Sequence, residues 1–230
     1  MFRTPAIREE DGSVCCDPQW EQAYREFETV DEEISKFLQR FRQMGLDRVS
    51  KDARVVDLFC GRGNGLVALQ RLGFGNLEGV DLSLSLLQQY QGPAQLHLAD
   101  CRALPLPAKT YDAVVVQGGL HHLPMLPEDL AGVCQSVCRI LKPSGRFYVV
   151  EPWLTPFLRF VHLVVANGLV RRIWKKGNAL ATMIDHERET YENWLSRPDQ
   201  LLSVLDEHFD GVSDAKCKRG KLMAVLRPRR

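Results

Sequence analysis

Apolar residues recur along this chain with two different periods, and the two alternate. From Trp20 onward, Tyr24, Phe27, Ile34, Phe37, Leu38 and Phe41 fall at helical spacing. That spacing predicts one long helix or two shorter ones reaching about Met44. Asp17 and Pro18 offer an N-cap and a proline at the first helical position. Short apolar runs and helical patterns then follow one another. A strand over 54–59 precedes a helix over 64–72, and a strand over 77–82 precedes a short helix near 84–90. A strand over 95–99 leads through Leu104-Pro105-Leu106-Pro107 to a strand over 112–117. The helix over 127–141 is the sharpest pattern. Leu130, Val133, Cys134, Val137 and Leu141 share one face, Glu128 and Asp129 sit in the first turn, and Pro143 and Gly145 close it. A strand over 146–151 comes next.

Alternation of this kind predicts an α/β fold with a doubly wound, mostly parallel sheet covered on both faces. Residues 152–198 interrupt the rhythm, being apolar and basic with no obvious strand. The tail resumes with a helix over 198–206 and strands near 208–216 and 221–227. The turn at Lys218-Arg219-Gly220-Lys221 makes these last two a hairpin. The expectation is a seven-stranded sheet with an antiparallel last strand and a helical lid insertion. Residues 17–230 read as one domain, with 152–198 as the lid and 1–16 as a loose arm.

Composition narrows the function classes. A chain of 230 residues can bury a sizeable core. Its formal net charge of +1 announces no field for nucleic acid. Its seven cysteines are odd in number and scattered, unlike a disulfide framework. Cys134 and Cys138 lack further ligands at metal-site spacing and read as small apolar residues one helical turn apart. No metal is expected. The first sixteen residues are polar and lack the apolar core of a secretory signal. Together with the free thiols, that predicts a soluble cytoplasmic protein.

The candidate chemistry lies at the strand ends. Arg54-Val55-Val56-Asp57-Leu58-Phe59-Cys60-Gly61-Arg62-Gly63-Asn64-Gly65 is an apolar run ending in a carboxylate, then a glycine turn, then a helix. Gly61, Gly63 and Gly65 let backbone approach a ligand, and the helix N-terminus favours a polar or anionic group there. Asp81, followed by Leu82, ends the next strand, twenty residues after Gly61. A carboxylate at that place can accept both hydroxyl protons of a ribose, so the ligand reads as a nucleoside. Asp100-Cys101 ends the third strand, where a carboxylate could take an adenine amino group. The fourth strand runs through Gln117 into a glycine loop and His121-His122. The chain has G-x-G-x-G rather than the dinucleotide fingerprint G-x-G-x-x-G, and no P-loop Lys-Ser/Thr pair. Each acid also has a purely structural alternative. Asp57 and Asp81 could cap helices, and Asp100 could be a surface loop acid.

Taken together with Leu141-Lys142-Pro143-Ser144-Gly145-Arg146 before the fifth strand, these residues resemble the class I S-adenosylmethionine-dependent methyltransferases, within their large small-molecule subgroup. The resemblance is close over about residues 50–151 and loose in the tail. It implies S-adenosylmethionine as the cofactor. Asp57, Phe59, Gly61 and Gly63 would line its methionine end, Asp81 and Leu82 its ribose, Asp100 and Cys101 its adenine, and Gln117 the sulfonium. The family usually has glycine at the position of Phe59.

Methyl transfer from a sulfonium mainly requires a held acceptor and excluded water. A hydroxyl acceptor also needs a base, for which histidine is suited. Neighbouring strand ends lie about 5 Å apart, so Glu151 at the end of strand five could orient His121. His122 is the alternative base, and a strand end without a role is the alternative for Glu151. The segment 152–198 begins well for a helix at Thr155-Pro156 and breaks at Asn167-Gly168. It reads as an apolar lid over a small-molecule acceptor. Its basic end, Arg171, Arg172, Lys175 and Lys176, leaves a second reading as a membrane-surface or lipid-linked-substrate contact. His186, Glu187, Tyr191 and Trp194 could line the acceptor pocket or only pack on the sheet.

The leading expectation is an enzyme methylating a small molecule, on oxygen rather than nitrogen. A binding protein that keeps the cofactor site without turnover is the second class, favoured by Phe59. A nucleic-acid methyltransferase is disfavoured, because Gln117-Gly118-Gly119-Leu120 is not an Asn/Asp-Pro-Pro-Tyr-like motif. A nicotinamide dehydrogenase fits less well still.

Overall fold

The structure is a computed structural model and describes residues 18–229. The expected loose arm at 1–16 and the N-cap at Asp17 lie outside the described residues. Two helices, α1 (Pro18–Phe27) and α2 (Val30–Gln43), stand where the sequence left one or two open. Thr29 decides between them. Its side chain accepts the Glu32 amide while Glu32 reaches back to the Thr29 amide, a capping box that starts α2 afresh.

The sheet then builds as expected. Strands β1 (Arg54–Leu58), β2 (Asn76–Asp81), β3 (Gln95–Leu98), β4 (Tyr111–Gln117) and β5 (Leu141–Pro152) are parallel neighbours. Between them run α3 (Asn64–Arg71), α4 (Leu84–Leu87) and α5 (Glu128–Ile140). The chain continues through α6 (Pro156–Ala166), α7 (Gly168–Ile173), α8 (Lys175–His186), α9 (Arg188–Ser196) and α10 (Pro198–His208). It ends in β6 (Phe209–Asp210), β7 (Lys216–Lys218) and β8 (Lys221–Pro228). Strand order is β3-β2-β1-β4-β5-β8-β6, with β8 antiparallel to β5 and β7 paired to β8. The order reverses between β1 and β4, which in an open α/β sheet is where a ligand crevice forms.

Three departures from the expected elements bear on the architecture, beside shifts of one or two residues at other ends. The strand expected over 208–216 is broken, because Gly211 adopts φ 97° and a 3-10 turn follows at Val212–Asp214. The sheet therefore has eight strands rather than seven. The helix near 84–90 stops at Leu87, and the Tyr90 hydroxyl bonds Gln70 and the Ala94 amide. Leu141 is extended rather than helical and pairs with Tyr111, after which the register shifts and Ala113 meets Arg146.

Two apolar cores cover the sheet. One gathers Phe41, Leu66, Leu69 and Val115 beneath α2 and α3. The other gathers Leu130, Val137, Phe147, Trp194 and Phe209 beneath α5, α9 and α10. A polar knot pins the amino-terminal end of the strands. Glu78 accepts from Arg54 at 2.7 Å and from the Tyr111 hydroxyl at 2.8 Å, and lies 2.8 Å from His97 Nε2. The carboxyl-terminal end is left for chemistry.

Candidate functional site

The end of β1 delivers Asp57 into the interior, where it is 4% exposed. Burial, then the charges of Asp81 and Glu33, push its carboxyl well above the ordinary range. Gly65, in the first turn of α3, lies directly over it. A Cβ there would lie 2.2 Å from Asp57 Oδ2, so only glycine lets the helix approach this carboxylate. Gly63 takes φ 87°, and a Cβ on it would lie 2.2 Å from the Tyr90 ring. Phe59 adopts φ 54°, the left-handed region that glycine enters freely. The backbone thus keeps a glycine conformation at the position where the residue is not glycine.

Asp81 ties the loop to β2. One oxygen accepts the Gly61 amide at 2.8 Å, and the other accepts the Ser83 amide at 2.8 Å. Burial pushes its carboxyl up, against the pull of these amides. Leu82 beside it is half exposed. Asp100 is less available. Its carboxylate is clasped by Arg102, with contacts of 2.7–3.1 Å, and Arg102 also reaches Asp129 at 3.0 Å. Cys101 is buried behind it, where its thiol is pushed up by burial. Gln117 sits at the tip of β4. Its Oε1 accepts from Arg40 at 3.5 Å, and its buried Nε2 has no hydrogen-bond partner.

The structure brings the expected pair together. His121 Nδ1 lies 2.8 Å from Glu151 Oε2, and both residues are buried. Glu151 Oε1 accepts the amides of Gly119 and Leu120, each at 2.9 Å. One carboxylate therefore fixes both the turn after β4 and the histidine on it. The His122 ring lies 4.1 Å from that of His121, tilted 36° to it. Burial, then the neighbouring His121, hold its imidazole well below the ordinary range.

Sequence reasoning offered Glu187 only as one of several possible pocket residues, and it missed Arg40 and Lys221. Glu187 is 6% exposed at the junction of α8 and α9, and its Oε2 has no hydrogen-bond partner. That oxygen lies 3.4 Å from His122 Nδ1 and 3.9 Å from His121 Nε2. The donors of His121, His122 and Glu187 all fall within 4.8 Å of one another. Among the described residues this is the one such set with metal-ligand chemistry, at a place where the sequence predicted no metal. Lys221, the first residue of β8, has its ammonium pushed down to about 8 by burial and by Arg40, while Glu151, Glu28 and Glu187 oppose the shift. Arg40 comes from α2 with its guanidinium lowered by burial. Neither element carries a motif, so neither residue announced itself in the sequence. Cys134 and Cys138 lie on α5 as packing residues, with Cys138 Sγ donating to the His208 carbonyl.

The helices α6–α9 are moored beside this site. Thr155 Oγ1 accepts the Leu158 amide and so caps α6, and it also accepts the Gly220 amide at 3.0 Å. Trp194 Nε1 donates to the Pro152 carbonyl at 2.8 Å. His162 of α6 meets the Tyr191 hydroxyl at 3.2 Å. α1 packs along α8, and Lys176 pairs with Glu32 at 3.0 Å.

Residues 56–149 match the family described as methyltransferase domain. The demethylmenaquinone methyltransferase of Bacillus licheniformis is 30% identical over 144 residues, 57% of this chain and 60% of that protein. The chain thus spans less than two thirds of that relative's length. The ubiquinone/menaquinone biosynthesis C-methyltransferase of Proteus mirabilis is 29% identical over 182 residues, 72% of this chain and 69% of that protein. The crystal structure of a Pyrococcus horikoshii OT3 protein matches the fold at TM-score 0.62 and 19% identity, covering 92% of this chain and 99% of that one. Over the matched stretch the chain is similar to S-adenosylmethionine-dependent methyltransferases, and its fold is a Rossmann-like sheet shared with the Pyrococcus horikoshii structure. The cofactor of that class is S-adenosylmethionine.

The residues present fit that cofactor. Gly65 brings the first turn of α3 onto the Asp57 carboxylate, and Gln117 offers an orphaned buried amide. Asp57, Asp81 and Glu33 concentrate negative charge whose mutual repulsion a cationic ligand relieves. A sulfonium and an ammonium suit such a site, whereas the phosphates of a dinucleotide do not.

Proposed function

We propose that this protein transfers a methyl group from S-adenosylmethionine to a small molecule bearing an ionisable hydroxyl. The observation that carries this reading is the buried His121–Glu151 pair at the adjoining tips of β4 and β5. The bound cofactor supplies an activated methyl group on its sulfonium. In this reading Asp57, Phe59, Gly61 and Gly63 hold its methionine end, and Asp81 and Leu82 its ribose. Asp100 and Cys101 border the adenine, and Gln117 with Arg40 meets the polar end nearest β4. Glu151 keeps the His121 Nδ1 proton in place, which leaves Nε2 to accept the acceptor's hydroxyl proton. His122 is the poorer base because burial favours its neutral form and weakens its hold on a proton. Residues 152–198 close over the acceptor as a lid, with Glu187 and Tyr191 nearest to the histidines. The methyl group goes to the oxygen that loses its proton.

Transfer to carbon is the second reading, favoured by the C-methyltransferase name of the Proteus mirabilis relative. Ionising a ring hydroxyl also activates the carbons conjugated with it, so the same base serves both outcomes. The experiment is turnover with methyl-labelled S-adenosylmethionine and a panel of phenols, sugars and reduced quinones. Product NMR separates O-methyl from C-methyl. No formation of S-adenosylhomocysteine with any acceptor, despite tight cofactor binding, would replace this reading with a binding protein that does not turn over.

A further inference from the structure

The outer side of the α6–α7 segment carries a surface that methyl transfer does not use. Along α6, Phe157, Phe160 and Leu163 are 53, 64 and 74% exposed. Leu169 and Ile173 on α7 are 74 and 83% exposed, and Trp174 follows at 44%. These are six of the nine large apolar side chains exposed among the described residues, so the patch is concentrated. The helix beneath is firmly seated. Its other side is capped by Thr155, packs Leu158 over Gly220, sets His162 against Tyr191 and buries Val165.

Charge says what kind of surface fits there. Residues 152–184 contain five Lys and Arg and no Asp or Glu. Arg171 pairs with Asp185, and Lys176 with Glu32. Arg159, Arg172 and Lys175 are exposed without an ion-pair partner among the described residues. A second copy of the chain would set this cationic segment against itself. Nucleic acid would leave the leucine, isoleucine and phenylalanine side chains in water. An anionic lipid surface satisfies both halves of the pattern, taking apolar side chains below the headgroups and cations among them. No helix among the described residues is long and apolar enough to cross a membrane, so α6 and α7 would lie in its plane.

We propose that the outward face of α6 and α7 seats the protein on an anionic membrane surface, next to the acceptor side of the site. The seat stands on the surface itself; its use in meeting a membrane-borne acceptor rests on the methyl-transfer reading.

The test is flotation of the full chain with phosphatidylcholine vesicles, with and without phosphatidylglycerol. Binding should require phosphatidylglycerol and fall as salt rises. L163D with I173D should abolish flotation. R172E with K175E should weaken it about thirty-fold or more, since each cation near an anionic surface is worth on the order of 1 kcal/mol. S-adenosylmethionine affinity by calorimetry should stay unchanged in both variants. The charge variant keeps the test valid should the apolar one misfold. Absence of flotation by the unaltered chain would overturn the proposal. So would a concentration-dependent dimer in sedimentation that L163D dissolves, which would make the face a self-interface. Loss of flotation leaves methyl transfer to soluble acceptors standing, and loss of cofactor binding with flotation retained overturns only the functional reading.

Discussion

Glu151 Oε2 lies 2.8 Å from His121 Nδ1, while the same carboxylate's Oε1 holds the Gly119 and Leu120 amides. The acid at the end of β5 thus builds the turn that carries the histidine and also sets its tautomer. Glutamine at 151 could still accept the two amides through its carbonyl. Its NH2 would then donate to Nδ1 and force the proton onto Nε2, where the acceptor's proton is needed. Glu151→Gln is expected to lose turnover nearly as far as His121→Ala, in the range of about 10²–10⁴-fold typical of general-base loss. Cofactor affinity should hold in both. A Glu151→Gln enzyme with near-normal kcat would remove the pair from the mechanism.

The convergence of His121, His122 and Glu187 has a separate consequence. Two imidazole nitrogens and a carboxylate oxygen within 4.8 Å suit a borderline metal such as Zn²⁺. A metal there would occupy the Nε2 lone pair of His121. Chelator treatment is expected to leave turnover unchanged, and added Zn²⁺ to inhibit it, less so in Glu187→Gln. Activity lost to chelator and restored by a divalent cation would make the cluster a working metal centre and would displace His121 as base.

Much of this was legible because strand ends announce themselves. An apolar run, a carboxylate and a glycine turn locate Asp57 and Gly61, and the twenty-residue spacing finds Asp81, whose carboxylate does meet the Gly61 amide. The His121–Glu151 contact followed from adjacent strands alone. Arg40 and Lys221 were not legible, since each is placed by tertiary packing of an element with no motif. Asp100 was legible as an acid at a strand end, but its partner was not. Arg102, two residues on, reads as a surface cation until the turn folds it back. The tail strand failed at Gly211, whose left-handed backbone ends β6 after two residues.

The acidic floor of the cofactor site should make binding depend on pH. Burial, then Asp81 and Glu33, hold Asp57 well above the ordinary carboxylate range, and burial raises Asp81 and Glu33 as well. A cationic ligand favours the ionised forms and lowers these values again. Binding therefore releases protons, and affinity should rise as pH climbs from about 4 and flatten once the carboxylates are ionised. Calorimetry in buffers of different ionisation heat measures the release. Asp81→Ala should also weaken binding by on the order of 1–3 kcal/mol, because it leaves polar partners unpaired. Affinity that falls with rising pH would argue against the acidic floor.

Stability toward acid should centre on Glu78. Burial alone would raise its carboxyl, but hydrogen bonds with His97, Arg54 and Tyr111 outweigh burial and hold it at about 2. Its folded value lies below its unfolded one, so the stabilisation is full above about pH 4.5 and is lost as pH falls toward 2. Glu78→Gln is expected to lower stability at neutral pH by on the order of 2 kcal/mol and to flatten the acid limb of the stability curve. Urea melts at several pH values report both. An acid limb unchanged in the variant would place the acid sensitivity elsewhere.

The last prediction concerns Phe59, the residue that departs from the family's glycine. Its φ of 54° is strained for a side chain of this size, by roughly 1–2 kcal/mol. Its ring lies against Gly119, where an added Cβ would sit 2.4 Å from Phe59 Cγ. Gly119 itself has φ −117°, which any residue adopts, so an alanine there meets the Phe59 side chain first. Gly119→Ala is expected to destabilise the protein by about 1–3 kcal/mol through overpacking. In a Phe59→Gly background the ring is gone, and the same substitution should be close to neutral. Phe59→Gly alone should change stability little, since relief of backbone strain offsets the lost packing. A double-mutant cycle of thermal or urea melts gives the coupling, expected at about 1 kcal/mol or more. Additive effects would mean that Gly119 is required for something other than the phenylalanine, such as close passage of the cofactor. The contact between β1 and β4 would then be a by-product of that requirement, and Phe59 would not be its cause.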